Sequence, residues 1–215
     1  SLDDGTRIIA RRKQFGTMIL SRWPILSSRN HLLPKWGDRQ FHSIQQGMLE
    51  AVIDTPLGPI RVYSAHLSHL CVATRMPQVD RIKQILAAAP SEGGAWCGGH
   101  PEPAAGWTEE REPPMPRDVI LMGDMNFTAQ MPEYDALIGP VAPRYGRLTN
   151  RDGLLDAWVL AGHSEAGGKT LADTPARIDH CFVSASLADR VVRVWVDDAA
   201  TGSDHLPLWT AFSAP

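Results

Sequence analysis

Seven short apolar runs constrain this chain more than any other feature, at residues 17–21, 46–54, 60–66, 119–122, 178–183, 191–196 and 208–212. They are rich in β-branched residues and bounded by Gly, Pro or polar clusters, the pattern of strands. Two of them flank Thr55-Pro56-Leu57-Gly58-Pro59, a turn-rich loop that predicts a hairpin between 46–54 and 60–66. Helical signals are fewer. Met76, Val79, Ile82, Ile85 and Leu86 draw one apolar stripe on a helix over residues 72–89, and 133–138 and 154–160 suit short helices. Strands outnumber helices and do not alternate with them regularly. The expected fold class is therefore a layered α/β (α+β) domain with substantial antiparallel sheet, rather than a doubly wound one.

At 215 residues the chain is long enough for one sizeable domain with its own core. Its 21 Lys and Arg against 24 Asp and Glu give a net charge of −3, so no overall basic balance favours a nucleic-acid partner. A basic cluster at Arg7, Arg11, Arg12 and Lys13 is the one local exception. Cys71, Cys97 and Cys181 are widely spaced and form no CxxC pair, which points away from a disulfide framework or a zinc site. No apolar run approaches the roughly 18 residues of a membrane span. With no visible signal peptide, the expectation is a cytoplasmic monomer. Residues 90–117 are crowded with Gly and Pro and read as a loop insertion, whose Trp96, His100 and Trp107 either touch a ligand or fold back on the surface.

Chemistry gathers where strand patterns end. Gly123-Asp124-Met125-Asn126 follows the buried-strand pattern Val119-Ile120-Leu121-Met122. Residues two apart in extended chain face the same side, so Asp124 and Asn126 project together and can hold a water or bond a phosphate oxygen. Gly202-Ser203-Asp204-His205 pairs a carboxylate suited to a hard cation with an imidazole that takes a proton near neutral pH. Asp179 lies inside the apolar run 178–183, where a carboxylate needs a partner, either Arg177, Arg190 or an imidazole elsewhere. His180 then faces the opposite side of that strand and stays out of the site. His66 ends 60–65 in the same manner as Asp124 ends its own strand.

In order, the strand ends offer His, Asp-x-Asn, Asp and Asp-His. The set resembles the endonuclease/exonuclease/phosphatase superfamily of metal-dependent phosphohydrolases. The matching pieces are Ser64-Ala65-His66-Leu67, Gly123-Asp124-Met125-Asn126, Arg177-Ile178-Asp179-His180 and Gly202-Ser203-Asp204-His205, with Ile19-Leu20-Ser21-Arg22-Trp23-Pro24-Ile25 as a non-catalytic match. The resemblance implies a four-layer sandwich of two mainly antiparallel sheets packed face to face, with helices outside. It also implies His205 as base, Asp179 orienting its ring, and Asp124 and Asn126 positioning the nucleophile. His66 would stabilise phosphoryl oxygens, and Asp124, Asn126 and Asp204 would hold Mg²⁺ or Mn²⁺. His66 looks more like the sphingomyelinase-like and pancreatic-deoxyribonuclease-like branches than the apurinic-endonuclease branch, which is similar elsewhere but uses a tyrosine in that region.

Family members begin with a strand ending in Asn and a Gln-Glu pair whose Glu binds metal. Neither pattern precedes Gly16, so the chain reads as N-terminally truncated, with a strand or strands missing. The expected activity is Mg²⁺-dependent hydrolysis of a phosphate ester, with a small-molecule or lipid-headgroup phosphodiester as substrate. A metal-dependent nuclease is the alternative enzyme, and a non-catalytic fragment binding phosphate esters or protein is the alternative outside catalysis.

Overall fold

The computed structural model describes residues 15–107 and 111–213, so the basic cluster at Arg7, Arg11, Arg12 and Lys13 lies outside the described residues. The chain order is β1 (Ile25–Leu32), β2 (Gly47–Thr55), β3 (Gly58–His66), α1 (Val72–Glu92), β4 (Val119–Asp124) and α2 (Pro132–Ile138). There follow β5 (Val141–Ala142), β6 (Gly146–Arg147), β7 (Leu154–Asp156), α3 (Ala157–Leu160), β8 (Asp179–Ser184), β9 (Val191–Val196) and β10 (Leu208–Phe212). Six strands form one sheet in the order β1-β2-β3-β4-β8-β7, in which only β3 and β4 run parallel. The hairpin forms as the sequence suggests, with β2 antiparallel to β3 through Thr55↔Gly58.

Alternation along the strands divides the core in two. Tyr63, Ala65, Val119, Leu121 and Phe182 face one side and pack against Val79, Ile82 and Ile85 of α1 and Tyr134, Leu137 and Ile138 of α2. Ile60, Val62, Ile120, Cys181 and Val183 face the other side, toward Val194 of β9 and Leu208 and Phe212 of β10. The molecule is thus helices on a large sheet on a second sheet, which among the described residues has two strands. No helix of the described residues is long and apolar enough to cross a membrane.

Two expectations are corrected. Residues 17–21 are not a strand; the first is β1, whose sequence ILSSRNHL has neither apolar alternation nor a β-branched run. It forms because it can pair with β2 and because an edge strand covers its partner while leaving much of itself in water. Residues 154–160 are not one helix, since β7 takes Leu154–Asp156 and α3 only Ala157–Leu160. Asp156 decides that boundary: its Oδ1 accepts the Trp158 N–H at 2.9 Å and so caps the helix start.

Candidate active site

Strand register places three of the expected residues in a single row. His66 ends β3 opposite Asp124, which ends β4, and Asp124 is opposite Asp179, which begins β8. Residues level across adjacent strands point to the same side of a sheet. The approach is close: a Cβ on Gly123 would lie 1.9 Å from the Ala65 carbonyl oxygen, and Gly123 itself has φ +137°. Only glycine lets β3 and β4 come together here.

His205 arrives from the connection between β9 and β10. A short stretch around Thr170 holds it there. Leu206 N–H donates to Thr170 O at 2.8 Å and Ala172 N–H to Asp204 O at 2.8 Å, while Thr170 Oγ1 accepts from the N–H groups of Ile178 and Asp179. Thr170 is fully buried and joins the two halves of the site, a role no motif in the sequence announces.

The side chains then meet. His205 Nδ1 donates to Asp179 Oδ2 at 2.8 Å. A carboxylate can only accept, so the proton belongs on Nδ1 and the neutral ring presents a bare Nε2. That Nε2 lies 3.9 Å from Asp124 Oδ2, and His66 Nε2 lies 3.5 Å from the same oxygen. Asp124 Oδ1 accepts the Asn126 backbone N–H at 2.9 Å. Asn126 has φ +51°, a conformation Asn tolerates better than most residues, and its Nδ2 donates to Leu67 O at 3.0 Å. The aromatic ring of Phe15 lies against His66, with centroids 5.2 Å apart.

Two titrations are perturbed. Burial pushes the Asp124 carboxyl up, the Asn126 N–H pulls it back, and the Asp179 charge adds to the rise, leaving it above the ordinary aspartate value. Burial lowers His205, but the bond to Asp179 and the charges of Asp179, Asp124 and Asp204 outweigh it, so its value ends raised. Asp204 is exposed on the same turn, where its Oδ1 accepts from Ser203 Oγ at 3.4 Å.

His180 faces the opposite side of β8, as alternation requires. Its Nδ1 accepts from Arg177 Nη1 at 2.7 Å and its Nε2 donates to Phe127 O at 2.9 Å. Arg177 is committed to Asp156 at 2.9 Å rather than to Asp179. The loop at 90–117 lies apart from this row in its described part. It connects the C-terminus of α1 to the start of β4, at the end of the sheet away from His66 and Asp124. Trp96, His100 and Trp107 do not line the cavity of about 590 Å³ that Asp179 and His205 border.

A divalent cation is what the oxygen chemistry of Asp124, Asn126 and Asp204 would suit. Among the described residues, however, no group of three or more His, Cys, Asp or Glu is placed to hold a metal ion. The described residues offer donors of the right kind without an assembled ion site.

A family model described as "Endonuclease/Exonuclease/phosphatase family" matches residues 4–205, which include the whole row and its facing histidine. The chain belongs to the endonuclease/exonuclease/phosphatase family. No curated protein matches it by sequence. Its fold is that of solved family structures. An endonuclease/exonuclease/phosphatase family protein from Bacteroides thetaiotaomicron superposes with TM-score 0.55 at 17% identity, covering 87% of this chain and 63% of that one. The mannosyl-6-phosphatase Bt3783 of the same organism gives 0.52 at 18% identity, covering 88% and 67%. The human nocturnin catalytic domain with bound sulfate gives 0.50 at 14% identity, covering 89% and 60%. This family chain thus spans 63% of the length of the first of these structures.

Proposed function

We propose that this family member hydrolyses phosphate esters, with His205 as general base. The observation that carries the reading is the facing of His205 Nε2 and Asp124 Oδ2 across 3.9 Å, with Asp179 fixing the ring from behind. A water seated beside that pair would hydrogen-bond to both atoms. His205 Nε2 takes its proton as the oxygen attacks phosphorus, and the resulting imidazolium is stabilised by Asp179. The ester P–O bond breaks opposite the entering oxygen, the departing alkoxide takes a proton from solvent to leave as alcohol, and the His205 imidazolium returns its proton to solvent. His66, beside Asp124, donates to phosphoryl oxygens as their charge rises. Asn126 holds Asp124 and the His66 loop in register through its bonds to both.

On this reading the cofactor is Mg²⁺ or Mn²⁺, which Asp124 with Asn126 and Asp204 would hold once brought together, since the described residues do not assemble an ion site by themselves. A bound ion would supply charge neutralisation on the phosphoryl group. The substrate is a small-molecule or lipid-headgroup phosphodiester. The net charge of −3 and a cavity of about 590 Å³ beside His205, within the usual range for small-molecule sites, support that choice over a polyanion.

The test is hydrolysis of bis(p-nitrophenyl) phosphate with Mg²⁺ and with EDTA, using p-nitrophenyl phosphate as a monoester arm because one fold neighbour is a mannosyl-6-phosphatase. Turnover of the diester that EDTA abolishes and His205→Ala removes supports the reading. Turnover unchanged in His205→Ala sinks the role of His205. Turnover confined to the monoester replaces the diester assignment.

A further inference from the structure

Helix α1 carries a polar stripe in a place where its neighbours are hydrophobic. Arg75 and Gln78 sit one turn apart and are 5% and 1% exposed. Both reach the peptide just beyond His66. Gln78 Oε1 accepts the Ser68 N–H at 2.8 Å, and Arg75 Nη1 donates to the Ser68 carbonyl at 3.3 Å. Each is itself held from behind. Gln78 Nε2 donates to Pro34 O at 2.9 Å, and Arg75 Nε donates to Glu133 Oε1 of α2 at 2.7 Å.

The residue before Ser68 is tied just as fully. Leu67 N–H donates to Asp124 O at 3.0 Å, and Leu67 O accepts from Asn126 Nδ2 at 3.0 Å. All four backbone polar groups of Leu67 and Ser68 are therefore bonded, two to the Asp124–Asn126 turn and two to α1. Burying two polar side chains on a helix costs free energy that an apolar pair would not. A loop that only had to close would not need them.

We infer that Arg75 and Gln78 are positioning residues that hold the Leu67–Ser68 backbone and thereby set His66 against Asp124; the rate consequence rests on the proposed hydrolysis. Neither touches the reacting groups. Both act through His66, whose Nε2 is held 3.5 Å from Asp124 Oδ2. Glu133 belongs to the same device, since it fixes Arg75 and sits on the helix that follows the Asp124–Asn126 turn.

The experiment uses Gln78→Met, which keeps length and removes the bonds to Ser68, Pro34 and Gln46, and reads it in two ways. Histidine Cε1–H signals are followed by NMR, with His66 assigned through His66→Ala. The His66 signal is expected to shift or broaden while that of His163, stacked on Trp158, stays in place. An unmoved His66 signal in folded Gln78→Met overturns the inference, whether or not the protein turns over substrate. In turnover of bis(p-nitrophenyl) phosphate, kcat is expected to fall roughly tenfold to a hundredfold with KM little changed. In a His66→Ala background the same substitution is expected to cost nothing further; an undiminished loss there overturns the inference. Absence of wild-type turnover with a displaced His66 signal leaves the clamp standing and removes the enzymatic reading instead. If Gln78→Met fails to fold, Arg75→Lys carries the same comparison, since it keeps the charge for Glu133 but not the planar fork.

Discussion

Asp179 Oδ2 and His205 Nδ1 meet at 2.8 Å although the first begins a strand of the six-stranded sheet and the second lies 26 residues later, in the connection to β10. The bond fixes both the orientation and the tautomer of the imidazole. Asp179→Asn keeps an acceptor in reach but removes the charge that stabilises the imidazolium. The expected outcome is a fall in kcat of about 10² to 10⁴-fold, comparable with His205→Ala. Steady-state kinetics on bis(p-nitrophenyl) phosphate measures it, and a loss below tenfold would show that His205 works without Asp179.

The same bond sets a pH dependence. Burial depresses His205, and the Asp179 hydrogen bond with the charges of Asp179, Asp124 and Asp204 raises it beyond that, so its folded value exceeds its unfolded one. The stability it contributes is then complete below the unfolded value and is lost as pH rises through the folded value. Activity runs the other way, because the base form accumulates only above the raised value. The acid limb of kcat/KM is expected at higher pH than an ordinary histidine would give, and in Asp179→Asn it moves to lower pH. A limb that stays in place in that variant would assign the titration to another group.

Gly123 tests whether the row of site residues needs the close contact of β3 and β4. Its φ of +137° disfavours any side chain, and a Cβ would meet the Ala65 carbonyl at 1.9 Å. That oxygen is backbone and cannot swing away. Gly123→Ala is expected to lower stability by about 3 kcal/mol, from overpacking with added backbone strain. Urea denaturation followed by tryptophan fluorescence reads the shift, and an unchanged midpoint would mean the strand ends can part without cost.

How much of this is legible in the sequence depends on how local each signal is. The strands β2, β3, β4 and β8 are apolar runs bounded by turn or polar residues, so the amino-acid order places their ends closely, and with them His66, Asp124 and Asp179. The partner of Asp179 stays open among Arg177, Arg190 and an imidazole, because a contact across 26 residues leaves no local trace. β1 is hidden because edge pairing asks little of the side chains in ILSSRNHL. Thr170, Arg75 and Gln78 are hidden for a related reason. Their work is to satisfy distant backbone groups, which one sequence does not reveal.

The two faces of β8 separate chemistry from stability, and one experiment can compare them. On the face toward the second sheet, Asp179 and His205 have side chains 20% and 32% exposed, so solvent screens the pair and its stabilising effect is at most about 1 kcal/mol. On the opposite face Arg177 and Asp156 have side chains 3% and 1% exposed, and Asp156 also accepts from Tyr134 at 2.8 Å. Arg177→Met would leave that carboxylate buried without its cation and would strip His180 Nδ1 of its donor. The expected cost is roughly 3–5 kcal/mol, against under about 1 kcal/mol for Asp179→Asn. Denaturation midpoints and kcat measured on both variants should therefore rank them in opposite orders, Arg177→Met weak in stability and Asp179→Asn weak in rate. The same ranking on both scales would show that the face with Arg177 shapes the site directly, through the His180 bond to the Phe127 carbonyl.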